Sequence, residues 1–222
     1  LPAGDSALYL GVEGGFHLDD ALRSIDRIDG TFAASALPRH GSGLSVLARS
    51  SSAFPSDETA TLVQRLRCLY RNILCDLGGM DTSSIPTALL AKADEIWLVA
   101  DQSIGALLSL DRCLQALEQR GQRDERLQLV LNRHDESFGI TPEQVAARFS
   151  LPLLNTLPER SRQLRSSASI GRLLNEQHPN DPYLQALAPL AARLAPTAPP
   201  LQTHGTFSRL ATYMSPSKWK KN

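Results

Sequence analysis

The sequence is short of several things, and each shortage removes a class of protein. Cysteine occurs only at Cys68, Cys75 and Cys113, an odd number scattered through apolar runs. That excludes a disulfide framework and predicts reduced, buried thiols in a cytoplasmic protein. No apolar run approaches the roughly 18 residues that cross a bilayer, and no basic-then-apolar leader opens the chain, so neither a spanning helix nor a secretion signal is predicted. Net charge is missing too: 23 Lys and Arg balance 23 Asp and Glu, leaving no global field to attract nucleic acid or anionic lipid. The usual chemical signatures do not occur. There is no Gly-x-x-x-x-Gly-Lys-Ser/Thr, Gly-x-Gly-x-x-Gly, Gly-x-Ser-x-Gly, Cys-x-x-Cys or His-Glu-x-x-His. No internal repeat is found.

What is present is a chain of 222 residues, 42% hydrophobic and 21% charged, long enough to bury one large core. We expect a domain over residues 1–194 and a tail over 195–222, joined where Ala195-Pro196-Thr197-Ala198-Pro199-Pro200 reads as an extended linker. The tail carries Arg209, Lys218, Lys220 and Lys221 and no acid, so the preceding 194 residues hold a compensating excess of negative charge. The first residue is Leu1, and a fragment or processed product is expected.

Short apolar runs alternate with amphipathic stretches, the signature of βαβ units on a mostly parallel, doubly wound α/β sheet. Buried strands are predicted at 72–77, 95–100 and 127–132, with shorter ones at 44–48 and 151–154. Helical spacing runs through Leu62, Val63, Leu66, Leu69 and Tyr70 after Ser56-Asp57-Glu58, and through Leu107, Leu110, Leu114 and Leu117 up to Gly121. Thr141-Pro142-Glu143 opens a short helix carrying Val145, Ala146 and Phe149. A helix pair is predicted over 161–194, kinked or restarted at Pro189.

Open parallel sheets bind ligands beyond the carboxyl ends of their strands, so the residues just past each apolar run are the candidates. Asp76 is followed by Gly78 and Gly79: its carboxylate could hold a magnesium-bound water, or could cap the next helix. In Asn132-Arg133 the amide suits a base edge and the guanidinium suits a base face or a phosphate, with an ordinary turn as the plainer reading. Pro158-Glu159 ends a further strand, where a rigid proline can pack on a base. His40-Gly41-Ser42-Gly43 precedes a strand and reads as a turn, and His134-Asp135-Glu136 as a solvated loop.

The order of these pieces resembles the ParA/MinD superfamily of P-loop ATPases (the SIMIBI class), most closely the Flp (tight-adherence) pilus assembly proteins CpaE and TadZ. The resemblance covers residues 1–194 and is carried by 4–10, 18–23, 37–44, 70–78, 93–99 and 130–133. It implies that Asp76 is the acid that organises Mg2+ through water, and that Asn132, Arg133, Pro158 and Glu159 surround the adenine of ATP. It also implies that the first strand and the phosphate-gripping loop precede Leu1, leaving a sheet with an uncovered central edge. ATP and Mg2+ would then belong to the intact protein, with hydrolysis open and none expected of this chain alone. The resemblance further implies a homodimer that recruits the pilus secretion ATPase and other Tad proteins, with the upstream receiver-like domain that many members carry.

Three alternatives stay open. Arg160, Arg162, Arg165 and Arg172 could contact DNA, as in a plasmid-partition or division-site ATPase, or form a solvated helix face; nucleic acid is the less expected partner. Asp76 could instead accept a phosphoryl group in a receiver-like scaffold. Phe207, Leu210 and Met214, with Trp219 among lysines, could touch the inner membrane or a cell pole, or simply be solvated.

Overall fold

The structure, a computed structural model, describes residues 6–12, 14–49 and 56–194. Gly4, Asp5 and the whole basic tail lie outside the described residues. Helices open the described chain: α1 (Ser6–Tyr9), α2 (Leu18–Arg23), α3 (Gly30–Ala36) and α4 (Ser56–Arg67). Local chemistry starts two of them. The Asp20 carboxylate accepts the His17 N–H at 2.9 Å, and Asp29 caps α3 by accepting the Phe32 N–H at 2.7 Å. Leu62 and Leu66 of α4 bury their apolar stripe against Ala21, Leu22 and Ile28, forming a small core.

The main core is built on three strands. After α5 (Thr87–Lys92), β1 (Ile96–Ala100), α6 (Ile104–Gln119), β2 (Leu127–His134), α7 (Pro142–Phe149) and β3 (Leu153–Pro158) alternate. The strands form a parallel sheet in the order β1-β2-β3. Side chains alternate across β2. Leu127, Leu129 and Leu131 meet Leu110, Leu114 and Leu117 of α6 and Val145, Ala146 and Phe149 of α7 on one face. Val130 faces the other way, toward Leu157 and Leu190. Fully burying each such leucine contributes on the order of 1.5–3 kcal/mol. α7 opens at Thr141-Pro142 as its sequence predicted, and Thr141 caps it in a reciprocal box with Gln144.

The second face is covered by the last described helices. The 161–194 region forms three helices, not a pair: α8 (Ser161–Ala168), α9 (Leu174–Gln177) and α10 (Pro182–Leu194). Asp181 accepts the Tyr183 N–H at 2.9 Å, and its carboxylate takes the Arg160 guanidinium at 2.6 Å, locking the turn after β3 to the start of α10. Pro189 does not end α10; the helix runs through it. The Asn155 amide donates to the Ala186 carbonyl at 2.6 Å beside the proline, giving that turn a hydrogen bond from β3.

Two predicted strands are absent. Residues 44–48 make only an isolated antiparallel bridge, Arg39 to Ser45, after a turn closed by the Gly43 N–H on the His40 carbonyl. Residues 72–77 are not part of the sheet. Ile73 packs into the small core and Leu77 into the main one, but Leu74 is 64% exposed. Across the sheet's other boundary, β1 is an edge strand whose Val99 is 62% exposed. Cys68 and Cys75 are likewise exposed and Cys113 half-buried, against the expectation of buried thiols; Cys75 lies on the segment that no ladder covers.

Candidate functional site

At the carboxyl ends of β1, β2 and β3 the ladder breaks. The β2–β3 register shifts between Leu131 and His134, so β2 carries an extra residue at Asn132-Arg133, and Arg133 takes a positive φ of 55°. A bulge of this kind re-aims side chains. The Arg133 guanidinium reaches Asp101, just past β1, at 3.4 Å and Glu159, just past β3, at 3.1 Å. One cation on the central strand thus joins the two flanking strand ends.

Both acids are held ionised. Hydrogen bonds from Ser103 hold the Asp101 carboxyl below the usual carboxylate range, with the Arg133 charge adding to them. Ser161 does the same for Glu159, its N–H donating at 2.7 Å, and Arg133 again contributes. Gln102 is buried between them and the next loop: its Oε1 accepts the Asp135 N–H at 2.9 Å and its Nε2 donates to the Ile140 carbonyl. Together with Ser103, Asp135 and Phe138 these groups line an open cleft of about 110 Å³.

The predicted residues are partly brought together. Arg133 and Glu159 meet directly, and Pro158 closes the β2–β3 ladder opposite His134. Asn132 turns toward α10, where its Oδ1 lies 3.4 Å from the Tyr183 hydroxyl. Asp76 is exposed on the extended segment, and its Oδ1 accepts the Gly78 N–H at 2.9 Å. That is a turn within its own loop; the following short helix is capped by Asp81 instead. Asp101 and Gln102 were missed by sequence reasoning, and Asp135 was read as part of a solvated loop. The signal for Asp101 was available, because it stands immediately past an apolar run just as Asp76 and Asn132 do.

No model of a protein family matches the sequence, and no characterised protein matches it by sequence. Solved structures do match. A ParA family ATPase from Chlorobium tepidum TLS aligns with a TM-score of 0.73 over 86% of this chain and 82% of that one, at 19% identity. A chain of the MinC:MinD cell division protein complex of Aquifex aeolicus aligns at 0.65 over 85% and 77%, with 18% identity. The chain has the ParA/MinD-type fold. The septum site-determining protein MinD of Pyrococcus horikoshii OT3, complexed with Mg-ADP, aligns at 0.61 over 87% and 79%, with 19% identity. At such identities the likeness is one of architecture, and activity has to be argued from the site.

On this ParA/MinD-type scaffold the charges narrow the chemistry. Arg133 is already neutralised by two carboxylates, which disfavours the phosphate clamp and leaves the base-facing reading of that residue. For a metal, the described residues bring no three His, Cys, Asp or Glu side chains together. A lone exposed carboxylate such as Asp76 does suit magnesium, which keeps most of its waters and takes one or two carboxylates plus substrate phosphates. Among the described residues no helix is long and apolar enough to cross a membrane.

Proposed function

We propose that this chain is the portion downstream of the phosphate-gripping loop in a ParA/MinD-type nucleotide-switch ATPase. Within that group we assign it to the Flp (tight-adherence) pilus assembly branch of CpaE and TadZ. It would work by nucleotide-controlled dimerisation and recruitment of the pilus secretion ATPase. The observation that carries the reading is the clustering of Asn132-Arg133 and Pro158-Glu159 at the carboxyl edge of a parallel sheet of this fold. Asp76 would supply the carboxylate for magnesium, and Asn132 with the Pro158-Glu159 loop would hold the adenine. The exposed 72–77 segment and the edge position of β1 support the boundary: an upstream strand would find hydrogen-bonding backbone on both.

Calorimetry tests this. The 222 residues alone should show no micromolar Kd for Mg-ATP, because their sequence contains no Gly-x-x-x-x-Gly-Lys-Ser/Thr loop to supply the backbone cradle and the lysine. Restoring the residues that precede Leu1 should bring micromolar binding, lost in Asp76→Ala. A micromolar affinity for the 222 residues would overturn the boundary. For the cellular role, deletion of the gene should abolish piliation and disperse a tagged secretion ATPase. Plasmid or chromosome loss with normal pili would move the protein to the partition branch. Sedimentation with anionic liposomes, with and without 204–222, separates the two readings of the tail.

A further inference from the structure

Apolar side chains crowd the carboxyl edge of the sheet without entering its core. Ile104, the first residue of α6, is 86% exposed. Leu108, one turn on, is exposed on the same face, turned away from the Leu110, Leu114 and Leu117 stripe that meets the core. Gln102 holds the loop after β2 against this helix start, accepting the Asp135 N–H and donating to the Ile140 carbonyl. Phe138 and Ile140 on that loop are exposed as well, and Phe138 lines the same cleft as Ser103, the neighbour of Ile104. Large apolar side chains gathered at one rim are the pattern of a docking surface.

Charge selects what docks there. Glu136 and Glu143 are exposed, Asp135 is half-buried, and among the described residues no ion pair takes up any of the three. His134 is the titratable group that faces Asp135 and Glu143, while Asp101 and Glu159 already share Arg133. Bonding to Ser137 keeps Asp135 below the usual carboxylate range, and bonding to its own N–H and to Thr141 does so for Glu143. An anionic apolar rim repels phosphate-bearing lipid and nucleic acid and suits a basic, apolar segment. The chain contains one. Residues 204–222 carry Phe207, Leu210, Met214 and Trp219 with Arg209, Lys218, Lys220 and Lys221, and no acid. The steps of three and four residues from Phe207 to Leu210 to Met214 match the four-residue step from Ile104 to Leu108. Reach allows the contact. Arg193, in the last turn of α10, grips Glu95 at the start of β1, and the cleft lies past the other end of that strand, roughly 20 Å away. Residues 195–206 span up to about 40 Å when extended, enough to pass around β1, the edge strand.

We propose that residues 204–222 dock, within the same chain, on the rim of Ile104, Leu108, Phe138 and Ile140, with the tail's lysines against Asp135, Glu136 and Glu143. Tethering holds the tail at an effective concentration of roughly millimolar, so a weak contact suffices. A docked tail shields the rim until something displaces it. None of this depends on the nucleotide reading.

Trypsin cleavage after Arg209, followed by mass spectrometry on the full 222-residue chain at pH 8, reads the docking. Wild type should be cut about fivefold more slowly than Ile104→Ser with Leu108→Ser. Both sites are exposed, so that variant should melt with wild type. Glu136→Lys with Glu143→Lys should quicken the cut to the same degree, and adding Lys218→Glu, Lys220→Glu and Lys221→Glu should restore protection. Equal cutting of wild type and the Ile104, Leu108 variant overturns the proposal. Failure of the charge swap to restore protection removes the tail as occupant. Protection that grows with protein concentration overturns docking within one chain in favour of a second copy, and protection seen only with phosphatidylglycerol vesicles overturns it in favour of a membrane.

Discussion

Residues 72–77 and 127–131 are near-equivalents in composition, and they end in opposite states. Both are apolar runs that read as buried strands. Leu129 and Leu131 are 0% exposed, with strands on both sides and helices on both faces, whereas Leu74 is 64% exposed on a segment with no ladder partner. The difference shows that a strand is a property of its neighbours. An apolar run becomes one when adjacent backbone satisfies its N–H and C=O groups, and otherwise it stays extended and wet.

That contrast can be broken or sharpened by experiment. The largest effect is expected from Leu131→Ala, which should cost about 2–5 kcal/mol in urea unfolding because it opens a cavity in the main core. Leu74→Ala should stay within about 0.5 kcal/mol, as for an exposed site. Equal costs would mean that 72–77 is buried in solution. Thiol labelling gives a second, smaller contrast: Cys75 is exposed but desolvation by its surroundings pushes its thiol up, so it should react with maleimide only about twofold to threefold faster than the half-buried Cys113.

Acid should weaken the link between the turn after β3 and α10. The Asp181 carboxyl is held below the usual range chiefly by hydrogen bonding to Arg160, so its folded-state pKa lies under its unfolded value. Its contribution is therefore complete above the ordinary carboxylate pKa of about 4 and disappears as pH falls through the lowered folded value. Thermal melts from pH 7 down to pH 3 should show a shallower decline for Asp181→Asn than for wild type; parallel declines would count against the pair. The smallest expected effect concerns α8, where Arg162 and Arg165 are exposed and Arg160 is committed to Asp181. Random DNA should bind weakly if at all, and a steep salt-dependent affinity would favour the partition reading.

Most of the parallel layer was legible in the sequence. The strands predicted at 127–132 and 95–100 were found because burial on both faces demands near-continuous apolar residues, and Thr141-Pro142 because a cap and a first-turn proline are local signals. Residues 72–77 were misread because the apolar pattern reports what a segment would pack against, not whether it is there. Of the two expectations at Pro189, a restart is not what forms, since α10 runs through it. At the site, Arg133 and Glu159 were found as separate loop residues, but their meeting depends on a bulge that no local motif announces, and Asp101 was overlooked although it ends an apolar run.

The last turn of α10 has a consequence for how the molecule is made. The Leu194 carbonyl accepts the Asn72 side-chain amide at 2.6 Å across 122 residues, and Arg193 grips Glu95 across 98. Closing loops of that span is entropically late, since the ends must find each other before any contact rewards them. During synthesis, the Asn72–Leu194 and Glu95–Arg193 contacts therefore form only after α10 has left the ribosome. A nascent chain stalled before Pro182 would hold the main core's strands but not the latch that relates them to residue 72, and so would be the species most open to chaperones and proteases.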